Sequence, residues 1–414
     1  MDITLSNHTG PPPTLYPPIL HGLKTKKTFL NNEKVVVPGG RNMEYFRDTD
    51  TIDEALKKAA DVAIKDVLGV KEGEKVLIIT NPPGDAKKIS EALYDSCLDA
   101  GADPALIFQP VKTQLDFAEP SVIGALRMNP DVAISISHQK LGKDPFAMKE
   151  PIVVGEKRYN HVFNYLLGEK KMRSFWSPTI TVPMFVETVP IDYKQLRDDC
   201  ERVKKVLDWA DEVHITAPSG TDITIGVKNR EAMKDDGNFT FPGAGGNLPA
   251  GEVFISPALG TSHGVIAYDG SISSDRGEII IREPIICEVA DNHVVSIKGG
   301  EEAARLSETI KRAEQKPFEM AKEGQITQKD AEEYSRNARN LGELGIGLNR
   351  KARIVGNMLE DEKVYGTCHI AIGSNYDEDA EALIHLDGLI KNPTIVAIKG
   401  REERKIMVDG KLVV

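Results

Sequence analysis

The sequence predicts an α/β N-terminal domain joined to an α+β C-terminal domain rich in antiparallel strands. Three observations lead there. The 414 residues exceed the ~250–300 residues at which a single core stops growing, so two domains are expected. From Glu74 the chain reads strand, loop, helix, strand, with continuous apolar runs of the kind a parallel layer buries. After Pro190 the texture changes to many short β-rich runs separated by turn residues. The expected divisions are an extended arm over 1–50, the α/β domain over 51–190 and the α+β domain over 191–414.

Taken in order, the arm "MDITLSNHTGPPPTLYPPILHG" is rich in Pro and Gly and lacks the basic and apolar regions of a secretory signal. It is expected to pack on the body or on a partner subunit. "TIDEALKKAADVAIKDVL" places apolar residues at helical spacing behind Thr51 as a cap. "EKVLIIT" is a strand, "NPPGDA" a loop, "KKISEALYDSCLDAG" a helix closed by Gly101, and "PALIFQ" and "DVAISIS" two further strands. The loop after the first strand holds one glycine, Gly84, and matches neither a dinucleotide fingerprint nor a P-loop. Its expected role is to help shape a cleft. In the second half, "DYKQLRDDCERVKKVLDWA" is an amphipathic helix. Strands follow at "EVHITAP", "TDITIGV", "GEVFISP", "GVIAYDGSI" and "EIIIREPIICEVADNHVVSIKG". A charged helical region is expected over roughly Glu301–Leu348, and "TIVAIKG" with "KIMVDGKLVV" closes the chain as a hairpin with a second turn at Asp409-Gly410.

Composition narrows the function. A net charge of −11 with both signs interspersed argues against nucleic acid. No apolar run reaches the ~18 residues a membrane helix needs. Four cysteines, far apart and without a C-x-x-C, read as buried thiols suited to a reducing cytoplasm. The expected setting is therefore cytoplasmic, away from membranes.

Several residues are candidates for chemistry. His385 and Asp387 form an H-x-D in a strand-like run, and i and i+2 project from the same face of a strand. An imidazole and a carboxylate held together this way suit a metal, although a hydrogen-bonded pair at a strand end has the same pattern. His369 lies in "CHIAIGSNY", where a core histidine is the plain reading, and Tyr376 follows seven positions on. Glu252 opens the apolar run "VFI" after a glycine-rich loop, and a half-buried carboxylate needs a partner or a metal to stay ionised. Glu343, in "NLGELGIGLN", sits in an unusually uncharged stretch at the end of the long helical region. Glu360, Asp361 and Glu362 form an acidic cluster just before His369. Several carboxylates and two histidines in one domain suit a pair of divalent ions such as zinc, cobalt or manganese, and make the second domain a candidate metal-binding domain.

The succession "PSGTDITIGV … GGNLPAGEVFISP … LGELGIGLN … NMLEDEKVYGTCHIAIGSNY … IHLDGLI", over roughly Val213–Ile390, resembles the M29 family of metal-dependent aminopeptidases, the aminopeptidase T-like group. The resemblance implies two divalent ions held by Glu252, Glu343, Glu362, His369, His385 and Asp387, with Glu343 bridging them. It implies Glu252 or Glu362 as proton carrier and Tyr376 as stabiliser of an oxyanion. The substrate would be a peptide, cut at its N-terminal residue, and the assembly a homodimer. The connection from Tyr376 to His385 is shorter than the glycine-rich insertion usual in that family. The same fold resembles the ring-cleaving 2,5-dihydroxypyridine dioxygenases. That resemblance implies one Fe(II) on His385, Asp387 and a second histidine, His369 or His263, with a small-molecule substrate. A relative that binds metal without catalysis is a third reading.

Overall fold

Apolar runs without alternation make strands buried on both faces. Two of them, Lys75–Thr80 and Val132–Ser137, pair in parallel, and Asp103–Phe108, partly exposed at the sheet edge, pairs in parallel with Lys75–Thr80. Arg173–Pro178 and the short Gly245–Asn247 extend the sheet on the side of Val132–Ser137. The chain moves from Lys75–Thr80 to Asp103–Phe108 on one side and then returns to Val132–Ser137 on the other. Ligands of doubly wound sheets gather at the carboxyl ends of strands near such a reversal.

The computed structural model describes residues 44–47, 53–82, 84–113 and 116–414. The expected arm therefore lies outside the described residues except for 44–47, as does the Thr51 cap. Tyr45–Val414 forms one compact unit. The first helix, Glu54–Val62, is capped by Asp53, whose carboxylate accepts from the N–H groups of Ala55 and Leu56. Helix Tyr193–Trp209 follows the expected amphipathic register, burying Leu196, Cys200, Val203 and Leu207. Among the described residues no helix is long and apolar enough to cross a membrane.

The second half builds two mixed-length antiparallel sheets. One runs in the order Ile279–Ile280, Ser271–Ile272, His385–Lys391, Thr367–Gly373, Leu341–Gly347, Glu252–Ile255, Met233–Asp235. The other has eight strands and includes His263–Tyr268, Ile285–Ala290 and the C-terminal hairpin Thr394–Lys399 with Glu402–Val408. The four cysteines are free and buried.

One expectation is corrected. The helical region read to Leu348 ends as two helices, Glu301–Lys322 and Gln328–Asn337, the second opened by a Thr327–Asp330 capping box. Leu341–Gly347, which carries Glu343, is a strand with every residue buried. Its glycines explain why. A Cβ on Gly342 would fall 2.1 Å from the Ser374 carbonyl, and one on Gly347 2.2 Å from the Val364 carbonyl. The segment is glycine-rich because neighbouring backbone presses against it, which a charged helix end would not require.

Candidate metal centre

The register of the seven-stranded sheet brings the candidate residues to one face. Glu252 pairs with Gly347 on one side and Asp235 on the other. Gly345 pairs with His369, Glu343 and Asp387 both pair with Ala371, and Gly373 pairs with His385. Residues opposite one another share a face, as do i and i+2. Asp235, Glu252, Glu343, His369, His385 and Asp387 therefore converge, with only Gly345, Gly347, Ala371 and Gly373 between them. The gaps are used: a Cβ on Gly345 would lie 1.9 Å from His369 Nε2, so the imidazole lies across the space that glycine leaves.

Glu343 sits at the centre. Its Oε1 is 3.1 Å from His369 Nε2 and its Oε2 is 3.2 Å from His385 Nε2. His369 Nε2 is also 3.4 Å from Glu252 Oε2, and His385 Nε2 is 3.1 Å from Asp387 Oδ1. The outer nitrogen of His385, Nδ1, is 2.8 Å from the Ser374 carbonyl, which fixes the ring orientation and leaves Nε2 toward the carboxylates. Two groups of three could each hold a metal ion: Glu252, Glu343 and His369, and Glu343, His385 and Asp387. They share Glu343.

The donor set fits divalent cations on an observation independent of those groups. Glu252 Oε2, Asp387 Oδ1, His385 Nε2 and both oxygens of Asp235 are buried and make no well-aligned hydrogen bond, although His369, His385 and Lys363 stand within ion-pair distance of them. Buried polar atoms left unpaired cost about 1–3 kcal/mol each, and charged groups more. Charge points the same way. Asp235, Glu252, Glu343, Glu362 and Asp387 are five carboxylates against one buried ammonium, Lys363. With all of them ionised and both imidazoles neutral, four negative charges remain, which two divalent cations would balance. Protons otherwise share that load. Burial pushes Asp235 up to about 7 and Glu362 up to about 8, despite Lys363. Burial pushes His369 down, but Glu343 and Glu252 outweigh it and raise the ring to about 9. Burial pushes Asp387 up, and the charge of His385 more than reverses this, to about 2.

Two placements differ from the sequence reading. Glu362 belongs to neither group of three; its Oε1 takes the Lys363 ammonium at 2.6 Å, and the residue lines the adjoining cleft. His263 is exposed on the eight-stranded sheet, with its Nδ1 near the Thr261 carbonyl, so the second-histidine role considered for it has no support in its position. Tyr376 is about half exposed, its ring against Phe254 and His385 at centroid distances of 5.1 and 5.3 Å. Sequence reasoning missed Lys363 and Asp235. A lysine closing an acidic run reads as a solvated turn, and the available signal was only its proximity to His369.

The cleft has a volume of about 980 Å³ and joins the two halves of the compact unit. Ser137, Trp176 and Asn247, near the carboxyl ends of the parallel strands, form one wall, and Tyr376, His385 and Asp387 the other.

Comparison with known proteins gives two directions. The family model for NicX, 2,5-dihydroxypyridine 5,6-dioxygenase, matches residues 187–376, less than half of the chain. That span includes Glu252, Glu343 and His369 and stops before His385 and Asp387. Among solved structures, the 2,5-dihydroxypyridine dioxygenase from Pseudomonas putida KT2440 is similar with a TM-score of 0.65 at 14% identity, over 88% of this chain and 98% of that one. Wild-type AmpT from Thermus thermophilus is similar with a TM-score of 0.62 at 16% identity, over 88% and 100%. No curated protein sequence matches the chain. The structural likenesses show a fold common to both proteins.

Proposed function

We propose that this chain is a metal-dependent hydrolase that removes N-terminal residues from peptides. The observation that carries the reading is the pair of overlapping groups that share Glu343. Each has one histidine and two carboxylates, a hard, mixed donor set suited to zinc, cobalt or manganese. Glu252 and His369 would hold one ion, His385 and Asp387 the other, and Glu343 both. Cations held there would supply Lewis acidity and a bound water acidic enough to ionise near neutral pH.

The remaining residues have roles that follow from position. Glu362 lines the cleft while Glu252 does not, so Glu362 is the better placed to carry a proton toward the leaving amine. Tyr376, held by Phe254 and His385, presents its phenol at the cleft, where its O–H would donate to an oxyanion. The wall supplied by the parallel sheet would receive the peptide.

A second reading, a ring-cleaving dioxygenase of the 2,5-dihydroxypyridine type with one Fe(II), is favoured by the family-model match. It calls for two histidines and one carboxylate around one ion. Each group of three instead has one histidine and two carboxylates, although Glu343 also stands between His369 and His385. Aminoacyl-nitroanilide hydrolysis, with zinc or cobalt and with chelator, tests the first reading. It is lost if purified protein supplied with these metals stays inactive but consumes oxygen with 2,5-dihydroxypyridine and iron.

A further inference from the structure

Lys363, like Asp235, has no role so far. Its side chain has no exposed surface, and it does not line the cleft, so it cannot meet a substrate. Its backbone is pinned: the carbonyl accepts from Asn349 N–H and its own N–H donates to the Glu360 carbonyl. Its ammonium donates to Glu252 Oε1 and lies 2.6 Å from Glu362 Oε1 and 3.5 Å from Asp235 Oδ2. Glu252 thus has one oxygen bonded to a fixed cation and the other facing His369. The group of Glu343, His385 and Asp387 has no such competitor: among the described residues, no lysine or arginine forms an ion pair with any of the three.

We propose that Lys363 is a positioning residue that makes the two metal positions unequal. Resting on the reading of this centre as a two-ion site, Lys363 shares Glu252 with the Glu252–Glu343–His369 position and repels a cation placed there. The Glu343–His385–Asp387 position fills first and the other second. The same ammonium holds Glu252 and Glu362 in place when the second ion is absent. A unit charge a few ångströms from a divalent ion, in the intermediate dielectric of a protein interior, weakens its binding by at least about tenfold. The centre would then work as a one-ion site when metal is scarce and a two-ion site when it is abundant.

Equilibrium dialysis against zinc with elemental analysis, on wild type, Lys363→Met and Glu252→Gln, tests this. Wild type should bind two ions with affinities at least about tenfold apart. Lys363→Met should tighten the weaker class by about tenfold and leave the tighter one unchanged. Glu252→Gln, which can still hydrogen-bond Lys363, should lose only the weaker class. Thermal melting adds a readout that simple packing would not move: Lys363→Met should melt below wild type without zinc and close that gap with zinc. Two wild-type classes of equal affinity, a weaker class unchanged in Lys363→Met, or loss of the tighter class in Glu252→Gln overturns the inference alone. A wild type that takes up no zinc at all overturns the two-ion reading and this inference with it.

Discussion

Among the described residues two buried side chains are lysine or arginine, Arg173 and Lys363, and their surroundings are built differently. In the parallel layer, Arg173 is 4% exposed and fully answered: its guanidinium forms a bidentate pair with Glu74 and donates to the carbonyls of Leu68 and Gly69. One cation meets one anion, and the remaining donors find backbone oxygens. Beside the seven-stranded sheet, Lys363 meets three carboxylates, two more stand near them, and buried oxygens and nitrogens remain without a well-aligned hydrogen bond. A satisfied pair holds structure together. An excess of buried carboxylate with open lone pairs needs something from outside the chain.

Substitutions can break that contrast. The largest effect is expected from Glu343→Gln, which removes the charge common to both groups; hydrolysis of an aminoacyl-nitroanilide should fall at least about 10³-fold. Gly345→Ala comes next. Its methyl would occupy the place of the His369 ring, and a displacement of about 1 Å in a ligand is enough for a loss on the order of 10²-fold. Zinc content should fall with it. Tyr376→Phe should lower kcat by about tenfold to a hundredfold with KM and zinc content unchanged, because only the O–H of a cleft-lining phenol is lost.

The parallel layer should respond in the opposite way. Arg173→Met leaves Glu74 without its partner and should cost about 2–3 kcal/mol in denaturant unfolding, less than a fully buried pair because Glu74 is 20% exposed. Zinc stoichiometry should not change. Burial pushes the Glu74 carboxyl up, but Arg173 and the Lys71 N–H together more than offset this and hold it below its ordinary 4.5. The stabilisation from ionised Glu74 is therefore complete above pH 4.5 and lost as pH falls through the lower folded value. The stability gap between wild type and Arg173→Met should narrow in that acid range and not above it.

The two regions also differ in how far they were legible in sequence. The parallel layer was readable because its strands are continuous apolar runs and its helices keep a 3.6-residue period, signals local to a few residues. In the second sheet His385 and Asp387 were readable for the same reason, as i and i+2 on a strand. Glu343 was noticed but placed on a helix, because "NLGELGIGLN" follows a long charged helix and its glycines hide the period of two on which Glu343, Gly345 and Gly347 share a face. Glu362, Lys363 and Asp235 take their meaning from strands far apart in the chain. No local pattern distinguishes a lysine in a solvated acidic turn from one enclosed by three carboxylates.

The central claim is that Glu343 serves two metal positions at once. Elemental analysis of the purified protein, saturated with zinc and freed of unbound metal, tests it most directly. Two zinc ions per chain, falling to one or none in Glu343→Gln, is the predicted result. A single ion per chain, with iron preferred and oxygen consumed in the presence of 2,5-dihydroxypyridine, would contradict it.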